Sequence, residues 1–386
     1  MQSTLTFSED HELFREAVRE FVAHEITPHY PEWEQAHIMP RSVWQAAGEA
    51  GVLGLAVPEE FGGAQLPDYE YQLVLTQELA TVGGYGFALA VHLQQDLVLP
   101  YLLAYGTHEQ KERWLPQMVS GDLVTSCAFT EPGAGSDLRA CCTSAVRDEN
   151  SYLLNGQKTF IGSGISGDAA LVLARTDGSS ERASEDSFSL FFVEKSEGYT
   201  PGRQLDKMGI RASDTAELFF ENVRVPAENL IGEPGQGLTY IKQHLPQARL
   251  AIAAASAVIS RTTLNATLEY VKERKVFGSR VADFQNTRFE LANALMNTEL
   301  SELYVARAIA AFNAGELTSE DAAKAKVFAS EKACTITDRC LQLFGGYGYI
   351  NEHPAAQAFL AARLLPIFGG TNELLRDSIG FDLLAK

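Results

Sequence analysis

From Ser8 onward, Leu13, Phe14, Ala17, Val18, Phe21 and Val22 recur at the spacing of one helical face. The run predicts an amphipathic helix with Ser8 as its N-cap and Pro28 as its stop. Similar patterns over 43–50, 69–81, 88–103 and 108–119, punctuated by Gly and Pro, make a helical first block to about Gly121. At Leu123 the texture changes to short runs rich in Val, Phe, Thr and Leu. Strands are predicted over 123–129, 142–146, 152–154, 158–161, 169–174, 188–193 and 216–225, with an Asn155-Gly156 turn and a polar surface loop over 177–186. No helix-length periodic segment interrupts them, which predicts a compact antiparallel β unit. Helical period returns near Gly237 and continues over 243–272, 283–311, 319–343 and 354–365. The order is α, then β, then α, with no internal repeat.

Composition narrows the function. Thirty-one Lys and Arg against fifty Asp and Glu give 31 − 50 = −19, a surface that would repel a phosphate backbone over most of its area, so nucleic acid is not an expected partner. No run reaches the ~18 uninterrupted apolar residues of a membrane span, and the candidate nearest to one, 250–259, is short and Ala-rich. The start MQSTLTFSEDHELF carries neither a basic region followed by an apolar one nor an Arg-rich amphipathic pattern. Five cysteines without a C-x-x-C pair argue against a disulfide framework or an all-cysteine zinc site. A cytoplasmic location is the expectation.

A literal G-x-G-x-x-G occurs at Gly162, Gly164 and Gly167. A dinucleotide fingerprint needs a helix after it, and 168–175 (DAALVLAR) reads as a strand. The eight histidines show no metal-ligand spacing, and His24 and His29, five apart, are off a common helical face. No metal site is expected, and no G-x-S-x-G elbow is present.

Six segments stand out: TEPGAGSD (130–137), KTFIGSG (158–164), KMGIRASDTAELFFENVRVP (207–226), ERKVFG with the following FQ (273–285), QLFGGYGY (342–349) and PIFGGTNE (366–373). The first is a Gly-rich turn ending a strand. It is either a tight turn and nothing more, or a place where missing Cβ atoms let backbone N–H groups approach a flat ring or an anion. Together, in this order, the six resemble the acyl-CoA dehydrogenase family over nearly the whole chain. LPQ-x-RLxIA (245–253) and PIFGGTNE look most like its long-chain and isovaleryl-type subgroups.

The resemblance implies an α+β multidomain fold: an N-terminal α-helical domain (1–121), a middle antiparallel β-barrel domain (122–233) and a C-terminal four-helix bundle (234–386). It implies FAD, α,β-dehydrogenation of an acyl-CoA or acyl-carrier thioester to the trans-2-enoyl product, an electron-transferring flavoprotein as electron acceptor, and a homotetramer built as a dimer of dimers. The implied flavin contacts are Cys127, Phe129, Thr130 and Ser136 along the ring, Phe160 beside it, then Gly162 and Ser163, where relatives carry a hydroxyl residue and Asn. Thr371 and Glu373 also match cofactor positions. Arg274, Phe277, Gln285, Gln342, Gly345 and Gly346 match positions that reach the neighbouring subunit's FAD. An Arg there suits phosphate because its planar fork makes paired charge-assisted bonds. Ser136, Arg249 and Gly370 are the implied substrate contacts.

Dehydrogenation needs a base for the α-proton and donors for the thioester carbonyl. Many relatives carry a Glu base where this chain has Gly369, and the subgroup resembled here takes it from the residue before Arg249, which is Ala248. Both positions lack a carboxylate, although Gly369 can still offer its N–H to the carbonyl. An introduced Glu-to-Ala change, a natural homologue that only binds thioesters or runs flavin oxidase or monooxygenase chemistry, and a relocated base are the three explanations. For relocation, His244 lies one helical turn before Ala248.

Overall fold

A computed structural model describes residues 7–66, 68–177 and 184–385. The N-terminal helices are α1 (Glu9–Phe21), α2 (Tyr30–Ala36), α3 (Arg41–Glu49), α4 (Glu70–Thr81), α5 (Tyr85–Leu97), α6 (Leu99–Tyr105) and α7 (His108–Ser120). Ser8 caps α1 as predicted: its Oγ accepts from the His11 N–H at 3.3 Å, and His11 Nδ1 accepts from the Ser8 N–H at 3.0 Å. A π-helical turn, Val22–Ile26, carries the chain on towards Pro28. The helix expected over 88–103 starts earlier and divides at Val98, where Pro100 opens α6 without needing an N–H partner. Although Tyr85–Tyr105 is long and apolar enough to span a membrane, 67 % of its most apolar window is buried inside the protein.

The sheet comprises β1 (Thr125–Ala128), β2 (Ser144–Asp148), β3 (Ser151–Gly162), β4 (Ala169–Arg175), β5 (Phe188–Glu194), β6 (Tyr199–Gln204), β7 (Thr215–Pro226) and β8 (Leu230–Ile231). Its order is β6-β7-β3-β2-β4-β5-β8, with β1 pairing to β4. Most ladders are antiparallel, but β1 runs parallel to β4, so the sheet is mixed. The Asn155-Gly156 turn is corrected: both residues lie inside β3, which joins two expected strands, and the register against β7 slips between Leu154 and Gly156. The glycine serves close approach, since a Cβ there would stand 2.4 Å from Thr143 Oγ1. Strand β6, YTPGRQ, was missed because its Pro and Gly read as a turn. It lies at the sheet edge, where a missing N–H is tolerated. Of the loop expected over 177–186, residues 178–183 lie outside the described residues.

The sheet buries both faces. Leu171 and Leu173 pack with Trp114 and Met118 of α7, while Ala170 and Val172 pack with Leu218 and Phe220 of β7. This accounts for the continuous apolar runs in β4 and β5 in place of alternation.

The last domain is built on α8 (Gly237–Glu273), followed by the hairpin β9 (Lys275–Val276) and β10 (Ser279–Arg280). The helices α9 (Gln285–Asn313), α10 (Ser319–Phe344), α11 (Pro354–Leu364) and α12 (Asn372–Ala385) complete it. Small residues of α8 (Ala253, Ala254, Ala257) share a core with Ala325, Ala329 and Ala333 of α10, so the two helices approach closely. The helix α12, unanticipated from the pattern, docks Leu375 on Ala323 and Val327.

Candidate active site

The end of β1 and the end of β3 are bound together. The Thr159 N–H donates to Thr130 O at 3.0 Å, and Ser126 Oγ donates to Ser163 O at 2.9 Å. Beneath them the fully buried Lys158 donates to Phe129 O (3.1 Å), Leu173 O (2.7 Å) and Glu131 Oε1 (2.9 Å). Burial would raise the Glu131 carboxyl, but Lys158 and the N–H groups of Cys142 and Thr143 outweigh it and hold the group below its ordinary value. The turn 130–137 is thereby fixed from behind, and its outer side is open: a Cβ at Gly133 or Gly135 would meet no atom within 4 Å.

Cys127, Phe129, Thr130 and Ser136 therefore lie on one structural unit with Phe160, Gly162 and Ser163. Phe160 is 70 % exposed at φ 59°, an uncommon conformation for a bulky residue and an uncovered aromatic face. An exposed ring beside an open Gly-rich turn fits a flat cofactor. The departure at Gly162 has a steric reason, because a Cβ there would stand 2.3 Å from Leu93 Cδ1 of α5. Gly164 and Gly167 pack against backbone between β3 and β4, and no helix follows them.

A cavity of about 60 Å³ lies among α4, α5, α8 and the segment ending at Phe368. Its α8 wall is Ala251, Ile252, Ala255, Val258 and Ile259. Ala248 is buried on α8 one turn before Ala251 and Ile252, on the same helical face. Arg249 is buried too, its guanidinium pulled below its ordinary value by burial. It donates through Nη1 to Ser319 Oγ at 2.8 Å and through Nε towards Gly369 O at 3.5 Å. Lys326 of α10, fully buried, donates to Gly370 O (2.9 Å) and Asn372 Oδ1 (2.7 Å). Burial first, then the charge of Arg249, pulls its ammonium down to about 8. Gly369 and Gly370 have φ of 67° and 90°, and a Cβ on Gly369 would stand 2.4 Å from Ile252 Cδ1. At the position where many relatives hold a carboxylate, a side chain would meet the flexible end of Ile252. Thr371 Oγ1 accepts from the Leu374 N–H at 3.3 Å, and Glu373 lies in the first turn of α12.

His244 sits between Tyr101 and Tyr105, with ring centroids 5.0 and 5.4 Å away. Burial lowers its pKa, and Nε2 is buried without a partner. Tyr101 in turn lies edge-on to Phe129, so His244 faces the Gly-rich unit. The pattern reading missed the pair His92 and Asp96 on the α5 wall of the cavity, 2.8 Å apart. Their spacing of four in HLQQD was the available signal.

The remaining expected residues are elsewhere. Arg274 ends α8, 274 − 248 = 26 residues after Ala248, which is roughly 40 Å along a helix. With Gly345 and Gly346 it lines a second, open cavity of about 450 Å³. A Cβ on either glycine would meet nothing within 4 Å, and Phe277 beside them is fully exposed. Gln285 opens α9, and Gln342 lies in the last turn of α10. One chain does not bring this group together with the residues of the 130–137 turn and Phe160. Among the described residues no cluster of three or more His, Cys, Asp or Glu could hold a metal.

Comparison with known proteins identifies the family. Family models match in order along the chain: acyl-CoA dehydrogenase N-terminal domain over 8–122, middle domain over 126–223 and C-terminal domain over 235–384. The mitochondrial long-chain specific acyl-CoA dehydrogenase of Sus scrofa is 40 % identical over 98 % of this chain and 87 % of its own length. The mitochondrial isovaleryl-CoA dehydrogenase of Solanum tuberosum is 33 % identical over 100 % of this chain and 93 % of its own. A crystal structure of an acyl-CoA dehydrogenase from Geobacillus kaustophilus superposes with a TM-score of 0.95 at 40 % identity, covering 99 % of this chain and 100 % of that one. The chain belongs to the acyl-CoA dehydrogenase family, whose members are FAD-dependent oxidoreductases acting on CH–CH bonds.

Proposed function

We propose that this protein is an FAD-dependent acyl-thioester dehydrogenase whose proton-abstracting position is occupied by Ala248. FAD, when bound, would accept the hydride from the β-carbon. The residues that would hold it are Thr130, Ser136 and Phe160 from one chain, and Arg274, Gln285, Gln342 and the Gly345–Gly346 turn from another. The observation that carries the reading is the largely apolar cavity of about 60 Å³, whose lining includes Phe368, the residue before Gly369.

The chain's own residues divide the work. The cavity wall excludes water and takes up the acyl chain, each buried methylene contributing about 0.8 kcal/mol. Arg249 and Lys326 hold the carbonyls of Gly369 and Gly370 from behind, so the turn is set before substrate arrives and its Gly369 N–H can meet the thioester carbonyl. What the geometry lacks is a carboxylate at 248, and loss of a general base costs about 10²–10⁴ in rate. The separation of the two groups favours at least a dimer, the proposed assembly is a dimer of dimers, and an electron-transferring flavoprotein is the proposed electron acceptor. The proposed location is cytoplasmic.

The test is turnover of Ala248→Glu against the unaltered chain on a ladder of acyl-CoA lengths. A rise of about 10²–10⁴ is expected, and protein that neither takes up FAD nor binds any acyl-CoA would end the reading. The absence of a carboxylate at both 248 and 369 favours one alternative, a silent thioester-binding homologue. That alternative predicts tight acyl-CoA binding with no enoyl product in a single turnover. An oxidase or monooxygenase, the further alternative resting on Gly162, predicts rapid reoxidation of the reduced flavin by oxygen.

A further inference from the structure

Among the polar side chains lining the cavity, which include Tyr69, Gln72, Thr76 and Tyr85, one pair is desolvated and not required by dehydrogenation. His92 and Asp96 stand one turn apart on α5, so both side chains face the same way and both line the cavity. The pair is desolvated, with His92 9 % and Asp96 2 % exposed. His92 Nδ1 lies 2.8 Å from Asp96 Oδ2, and Gln247 donates to Asp96 Oδ1 at 3.2 Å. An ionised carboxylate only accepts, so Nδ1 carries the proton in that bond and the ring is fixed with Nε2 as its free end. Nε2 is buried and has no hydrogen-bond partner. The Phe368 ring lies edge-on to the imidazole, its centroid 6.4 Å away. A desolvated polar nitrogen left unpaired is costly, and native structures avoid it unless something else completes the bond.

We propose that His92 Nε2 recognises a hydroxyl group carried on the acyl chain, so that the preferred substrates of this site are hydroxyacyl thioesters. The inference rests on the reading that the cavity receives an acyl chain. A hydroxyl is the substituent that suits the ring in either protonation state, donating to a neutral imidazole or accepting from a charged one. A keto oxygen can only accept, and a methylene does neither. Sites built to bond a hydroxyl discriminate strongly against analogues lacking it, because the protein's polar group is then left unpaired. The residue next to Gly369, Phe368, packs on His92, which places this recognition point within one side chain of the Gly369 turn.

The experiment measures calorimetric affinity of the FAD-loaded protein for a saturated acyl-CoA and for the same chain hydroxylated at successive carbons. Binding of the plain acyl-CoA supports the cavity's acyl role by itself. One hydroxyl isomer binding about 10- to 100-fold more tightly than the plain chain supports the inference. His92→Phe, close in size but without ring nitrogens, should level the two affinities. Should that variant fail to fold, His92→Asn keeps a donor for Asp96 and should shrink the advantage likewise. If no isomer exceeds the plain chain, a trapped water or nothing satisfies Nε2 and the proposal falls. It falls equally if the advantage survives in the variants, and if no acyl-CoA binds at all it falls together with the proposed function.

Discussion

Two Gly-rich turns flank the site, and each is held from behind by a fully buried lysine. At the turn 130–137, Lys158 faces two carbonyls and the carboxylate of Glu131. At the turn 368–372, Lys326 faces a carbonyl and a side-chain amide, both neutral, with Arg249 adding a like charge and Glu373 and Glu331 offsetting it only in part. The first is a buried ion pair, stable as long as it stays a pair. The second is a cation whose desolvation is not repaid by a contacting opposite charge, and its pKa of about 8 is the consequence. The turn 130–137 is thus fixed by charge pairing, whereas the turn 368–372 is kept electropositive by Lys326 and Arg249.

Removing each lysine should separate the two cases. Lys158→Met leaves Glu131 buried without its counter-charge, and a loss of about 3–5 kcal/mol is expected, read as a lowered urea midpoint together with weaker retention of FAD. Lys326→Met removes an unpaired charge along with two hydrogen bonds, so the loss should be smaller, about 1–3 kcal/mol. Equal losses would mean that both lysines act as simple donors and the comparison is empty.

The same contrast has a pH signature. Lys326 titrates at about 8 in the folded protein against 10.5 ordinarily, so between those values the unfolded chain binds more protons than the folded one. Stability should therefore rise with pH across roughly 8 to 10.5, and the penalty of the buried cation is fully present below that window. Lys207, also pulled down to about 8 by burial, contributes with the same sign. The informative quantity is the difference between the unaltered chain and Lys326→Met in urea midpoint at pH 7.5 and pH 10. A parallel pair of pH curves would show that Lys326 is not the titrating group.

These distinctions were only partly legible in the chain. The α-β-α order, the major helices and the apolar runs of β4 and β5 are read from period and composition because each is long and locally consistent. The Gly-rich turns could be named from their motifs. That Lys158 and Lys326 are the groups holding them could not, since a lone Lys in a strand or helix reads as a solvated residue and its burial is decided by segments 27 and 44 positions away. The fate of Asn155-Gly156 was set the same way, by Thr143, just before β2, pressing on the glycine. His92 and Asp96 carried a local signal, a spacing of four, but nothing in the chain says that this face of α5 lines a cavity. The crowding that a side chain at Gly369 would meet comes from Ile252, more than a hundred residues earlier.

The smallest effects should come from the glycines themselves, and they sharpen the comparison because each turn has one suited to the same change. Gly369 sits at φ 67°, and a Cβ added there would stand 2.4 Å from Ile252 Cδ1. Gly369→Ala therefore places an L-residue in a left-handed conformation and pushes a flexible side-chain end, at about 1–2 kcal/mol. Gly133 has no positive φ, and a Cβ there would meet no atom within 4 Å. Gly133→Ala should leave stability unchanged or raise it by up to about 1 kcal/mol, through a less flexible unfolded chain. If the open side of that turn is where the flavin lies, the added methyl nevertheless stands between backbone and ring and should weaken FAD binding, measured as release of yellow cofactor on dilution. Unchanged FAD retention in Gly133→Ala would mean that the outer side of the 130–137 turn faces solvent, and the flavin would have to be placed against Phe160 and Ser163 without it.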